Sequence, residues 1–195
     1  MDANKKVSDK EIFESPALLA KWVHKNLVAA WPIEDDYGLA SDAEIRQSQN
    51  ITSDEVERLA REESLLRVVG VLLFVRQTYP NEFYQCFFSD IYKPLTTYRY
   101  AEPSPAKQRL EETRDALDQY INCWEADKSE GGVEQVQKLY VQRIYQDDER
   151  CLSMYTAGIG THGINRIMAT HIVFRDAHCK VTAGVSYEQL MTLHE

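Results

Sequence analysis

Ahead of several apolar runs this chain places a serine or threonine three residues before a glutamate or glutamine: Ser8 with Glu11, Ser41 with Glu44, Thr52 with Glu55, and Ser186 with Gln189. At that spacing the hydroxyl accepts from a backbone N–H that has no partner in the first turn of a helix. The longer side chain then reaches back to the N–H of the capping residue. Twice more, at Ser15-Pro16 and Ser104-Pro105, a capping serine precedes a proline, whose missing N–H is harmless at the first helical position. A chain with this many helix starts is constrained to an all-α fold.

The apolar spacing fills in the helices between those starts. One is expected over 16 to 31, with Leu19, Val23 and Leu27 on one side, and a short one over 42 to 49. The next, over 53 to 78, is amphipathic at first and then apolar all round, which predicts a central position. Pro80 opens a helix carrying Phe83, Phe87 and Ile91, and Pro94 stops it. After 93 to 104, which has no helical period, Leu110, Thr113, Leu117, Tyr120, Ile121 and Trp124 form the clearest stripe in the chain. Further helices are expected from Val133, from the glycine-rich stretch at 158 to about Asp176, and over 187 to 194. The only strand-like run, 181 to 185, is broken by Gly184. The expectation is one helical bundle of seven or eight helices over 8 to 195, with a flexible 1 to 7 and a weak subdivision near 93 to 104.

Composition narrows the function classes. Over 195 residues the chain is 44% hydrophobic and 27% charged, as a globular chain is, and its net charge is −9. Nucleic-acid binding draws its affinity from Lys and Arg at phosphates, so an acidic chain without a basic run points away from it and toward a protein with a basic surface. The longest apolar stretch, 65 to 75, is too short for a bilayer and contains Arg67, which predicts no membrane association. Cys86, Cys123, Cys151 and Cys179 share no metal or redox spacing. They are expected to be small buried hydrophobes in a cytoplasmic protein.

The stretch "TAGIGTHGINRIMATH", 156 to 171, carries the chemical motifs. Gly158, Gly160 and Gly163 spell G-x-G-x-x-G, but the dinucleotide fingerprint needs a strand before the loop and an acidic residue about twenty positions on. Neither is present. The expected reading is a corner: Gly158 caps one helix, Thr161 caps the next, and Gly160 and Gly163 ease the turn. "GIGT" followed by "RIM" also resembles the calcium loop of annexin repeats, yet His162-Gly163 stands where annexins place acidic ligands. Arg166 and His171 form R-x-x-x-x-H, which resembles the motif of HEPN ribonucleases, compact all-α proteins that are commonly dimers. That resemblance implies a metal-independent ribonuclease in which His171 moves protons and Arg166 stabilises phosphorane charge. Ile167 stands where that family usually has a polar residue.

Other constellations are thinner. His162, His171, His178 and Cys179 are the richest group of metal-ligand types, but His171 and His178 lie about 10 Å apart along a helix. No metal or cofactor is expected. Glu111-Glu112-x-x-Asp115 resembles half of the signature of all-α nucleotide pyrophosphatases, and is expected on a solvated face. Tyrosine and arginine are favoured interface anchors, which singles out Tyr92, Tyr98, Arg99 and Tyr100, with Trp31 and Tyr37 beside Glu34-Asp35-Asp36. The expectation is therefore a non-enzymatic regulator, inhibitor or adaptor that binds another protein, with a homodimer also open. An HEPN-like ribonuclease and a small-ligand-binding helical domain lined by the aromatic helix at 81 to 92 are the alternatives.

Overall fold

The computed structural model describes residues 7–28, 52–92, 106–126, 131–156 and 158–184. Among them are eight α-helices and no strand: α1 (Asp9–Glu14), α2 (Pro16–Val23), α3 (Ser53–Thr78), α4 (Asn81–Ile91), α5 (Ala106–Ala126), α6 (Gly131–Tyr145), α7 (Asp148–Thr156) and α8 (Ile159–Ala183). The expected helices at 42 to 49 and 187 to 194, the starts at Ser41, Ser104 and Ser186, and the loop 93 to 104 lie outside the described residues.

The capping grammar works as the sequence implies. Both halves of the box are made at α1 and at α3, where Thr52 N–H donates to Glu55 Oε2 at 2.7 Å and Glu55 N–H donates to Thr52 Oγ1 at 3.3 Å. Ser15 caps α2, with Pro16 at its first position. Within the span expected at 16 to 31, α2 gives way to a π-turn over His24–Val28. Asn26 Nδ2–H donates to the Trp22 carbonyl, and Arg67 of α3 donates to the last carbonyl of the turn, Val28. The acidic run after α6 is a break between helices: Gln146 adopts a left-handed φ of 56° and Asp147 Oδ1 accepts from Arg150 N–H at the start of α7.

The middle of α3 is the centre of the molecule. Every residue from 62 to 75 is buried, and α3 packs against α8 along its length and against α4, α5 and α6 elsewhere. Its side chains Leu66, Val69, Leu72 and Val75 share one core cluster with Phe87 and Ile91 of α4, Leu117 and Tyr120 of α5, Tyr140 and Ile144 of α6, and Phe174 of α8. The approach of α3 to α8 is set by Gly70. A Cβ there would lie 2.5 Å from the Ile167 carbonyl oxygen and 3.2 Å from the His171 nitrogen.

Four expectations are corrected. Gly158, at φ 85°, starts α8 directly, so Thr161 lies inside its first turn and donates its N–H to the Gly158 carbonyl. Gly160 and Gly163 ease no turn; they let α8 lie close to α6 and α3. A Cβ on Gly160 would sit 2.7 Å from Gln137 Cβ, and one on Gly163 2.9 Å from the Tyr140 ring. Next, α8 continues through 176 and through the strand-like run to Ala183, because Phe174, Ala177 and Val181 keep a helical repeat on the core and Lys180 pairs with Asp176 at 2.6 Å. Gly184, at φ 75°, follows its end. The cysteines, finally, are not buried: Cys86 is exposed and the other three are partly so. No helix of the described residues is long and apolar enough to cross a membrane.

Candidate functional site

Arg166 and His171 are five residues apart on α8 and therefore about 140° apart around its axis. They meet different neighbours. Arg166 has no exposed surface, and its Nε lies 3.5 Å from Glu63 Oε2 on α3. The same carboxylate accepts from His162 Nε2 at 2.5 Å and faces Arg67 Nη2 at 3.7 Å. Burial pushes the Glu63 pKa up, but the His162 hydrogen bond and the charges of Arg166, His162 and Arg67 outweigh it and hold the group below its ordinary value. An ionised carboxylate only accepts, so His162 carries a proton on Nε2. His171 instead donates Nδ1–H to the Gly70 carbonyl at 3.3 Å and sets its ring against Phe74. Its pKa is lowered, first by burial. The pair is thus not gathered into one open cleft, because Arg166 is committed to a buried ion cluster that the R-x-x-x-x-H spacing does not disclose.

The interface candidates fare unevenly. Tyr92 is half-buried, with its ring 5.8 Å from Phe88, and so packs the end of α4. Tyr98, Arg99, Tyr100, Trp31 and Tyr37 lie outside the described residues. The histidines diverge too: His162 goes to Glu63, His171 to Gly70, and His178 into an aromatic cluster. Among the described residues, no group of three His, Cys, Asp or Glu side chains is placed to hold a metal ion.

Among the described residues, two concave sites fall in the size range of ligand pockets. The first is a groove of about 550 Å³ between α1, the corner joining α3 to α4, and the last turns of α8. Tyr79 and Phe83 flank Pro80 and stack at 4.3 Å between centroids. His178 stands edge-on to Tyr79 at 5.5 Å and to Phe74 at 5.2 Å, with Phe13 5.9 Å away. Val181 completes the apolar lining, and the exposed Lys10–Glu14 pair sits at the rim. Thr182 also lines the groove, and of its aromatic polar groups neither is charged: burial raises the Tyr79 phenol to about 12 and lowers the His178 imidazole. Each can still form hydrogen bonds, and neither carries charge near pH 7.

The second is a cleft of about 450 Å³ among α3, α5 and α6. Glu62 forms its floor, accepting from Tyr120 Oη and from Arg143 Nε, each at 2.8 Å, with Arg61 Nε at 3.8 Å. Glu112 and Asp115 line it from α5. Both are exposed, as the sequence implies, yet they face this cleft rather than open solvent alone.

Sequence reasoning missed Glu62 and Glu63, which are almost fully buried. Their signal was present: two acids at the threshold of an apolar run, with Arg67 one turn beyond Glu63, mark a polar network in a central helix. It missed the groove because Phe13, Tyr79, Phe83 and His178 come from three separate parts of the chain. Compared with protein-family models, with curated proteins and with solved structures, the chain matches none of them, and its site is read from its own geometry.

Proposed function

We propose that this chain is a binding protein for a small, planar, uncharged aromatic molecule, held in the groove between α1, the α3–α4 corner and α8. One observation carries the reading: the groove combines an aromatic lining with two neutral hydrogen-bonding groups, Tyr79 and His178. Ligand sites are typically of this kind, about 300–1,000 Å³, mostly apolar, with a few polar groups that fix orientation. Desolvation that keeps Tyr79 and His178 neutral also disfavours a charged centre on the ligand, while ring edges and faces favour a flat one. The test is a titration with indole, 1-naphthol and adenine, followed by protein-detected NMR. Saturable binding of at least one is expected, and Val181→Trp, which fills the groove, should abolish it while leaving the helical spectrum unchanged. No saturable binding by any of the three, or binding indifferent to Val181→Trp, overturns the reading.

A second reading, engagement of another protein, is favoured by a different feature. Leu152 on α7 is 69% exposed, beside a recess of about 220 Å³ to which Val141 and Cys151 also contribute. Lys138 and Asp148 border it, which gives the apolar centre and polar rim found at protein interfaces.

A further inference from the structure

The cleft among α3, α5 and α6 takes no part in the aromatic groove, and its chemistry is of another kind. Its charges are sorted by helix. The wall built from α3 and α6 carries Arg58, Arg61 and Arg143, and among the described residues Glu62 is the one acidic side chain it brings to the cleft. Arg61 and Arg143 both turn a guanidinium N–H toward Glu62. Arg58, one turn earlier on α3, donates its Nε–H to the Ile144 carbonyl near the end of α6, and among the described residues it has no carboxylate partner. That contact pins the half-buried guanidinium against α6, with its charge beside the cleft. Across from it, α5 presents Glu112 and Asp115, three residues apart and so on one face of the helix.

Gln146 adds an observation independent of charge. It lines the cleft and holds φ at 56°, in the left-handed region. A glycine would adopt that conformation freely, whereas a residue with a side chain adopts it less readily. The left-handed turn ends α6 and sets the Gln146 side chain on the wall of the cleft.

We propose that this cleft binds a small dipolar molecule, its oxyanion directed to Arg58 and its ammonium group to Glu112 and Asp115. The charge arrangement selects against the alternatives. A compact polyanion would gain from the guanidiniums and be repelled by the α5 carboxylates, and a dication would meet the reverse. A molecule carrying one charge of each sign satisfies both walls, and arginine offers a carboxylate two parallel donors. The volume suits something of amino-acid to dipeptide size, and Gln119, Gln142 and Gln146 supply neutral donors and acceptors between the walls.

The probe is the series of ω-amino acids from glycine to 6-aminohexanoate, each compared by NMR titration with the alkyl carboxylate and the alkylamine of matching length. One member is expected to bind at least tenfold tighter than both of its monofunctional counterparts. Arg58→Gln should reduce it to the affinity of the amine, and Glu112→Gln with Asp115→Asn to that of the carboxylate. These side chains are exposed or half-exposed, so the variants are expected to keep the parent's helical spectrum. If no member exceeds its counterparts, or if the variants leave the preference intact, the proposal fails. Val181→Trp separates the two sites: it should leave this binding unchanged even as it removes binding in the aromatic groove.

Discussion

Gly70→Ala is the most direct probe of how closely α3 and α8 are packed. The added methyl would lie 2.5 Å from the Ile167 carbonyl oxygen and 3.1 Å from Thr170 Cβ. A tolerable carbon–oxygen contact is about 3.3 Å, so the helices must part by roughly 0.8 Å at this point. The obstacle is backbone on a 25-residue helix, and no rotamer change relieves it. Overpacking typically costs about 1–3 kcal/mol, and the upper end applies where backbone must move. Against this stands a gain of about 1 kcal/mol from the better helix propensity of alanine. The net expectation is a loss of about 2 kcal/mol, which at a urea m-value of about 2 kcal/mol/M lowers the midpoint by about 1 M. Far-UV circular dichroism during urea titration measures it. Gly158→Ala is the control, because φ is 85° and nothing lies within 4 Å of the added carbon. It should lose only about 1 kcal/mol, from backbone strain. Parting the helices would also loosen the bond from His171 Nδ1 to the Gly70 carbonyl, so the His171 ring resonances should shift in Gly70→Ala and not in the control. A Gly70→Ala protein as stable as the parent would refute the close packing of α3 on α8.

Two further outcomes are expected. His24, His171 and His178 have pKa values lowered from 6.5, chiefly by burial, and Glu55 and Glu63 lie below 4.5. In each case the unfolded chain binds the proton first, so stability present above the unfolded pKa is lost as pH falls through the folded one. Thermal midpoints should therefore drop in two stages, below about pH 6.5 and again below about pH 4.5, and a flat profile between about pH 7 and pH 5 would contradict the burial of the histidines. In pull-downs, Leu152→Asp should lose a protein partner that the parent retains, while equal recovery would remove the α7 face from consideration.

What the sequence discloses here is local. Thr52 and Glu55 announce a helix start because the contact that forms it spans one turn, and α3 occupies the expected residues 53 to 78. The same holds for the stripe of α5, whose Thr113, Leu117 and Tyr120 are fully buried. The errors arise where a distant neighbour decides. Gly160 and Gly163 look like turn residues when only their own segment is considered, and they become packing residues once Gln137 and Tyr140 of α6 are opposite them. For Arg166 the fold adds rather than corrects: its motif says nothing of Glu63, 103 positions earlier, which closes on it. The groove depends on Phe13, Tyr79 and His178 meeting, and helical periodicity within any one segment does not specify that meeting.

The three buried carboxylates of α3 have a consequence for the uniqueness of the fold. Leu66, Val69, Leu72 and Val75 are similar enough that a helix bearing only such residues could slide by one turn and still bury apolar surface. Glu55 points to Arg150 of α7, Glu62 to Tyr120 of α5 and Arg143 of α6, and Glu63 to His162 and Arg166 of α8. A slide of one turn, about 5.4 Å, would strand all three at once. Each carboxylate buried away from its partner costs several kcal/mol, more than any repacking of the aliphatic side chains would recover. The acids act as the teeth of a key on an otherwise smooth shaft: they make one axial position of the central helix admissible and reject its neighbours.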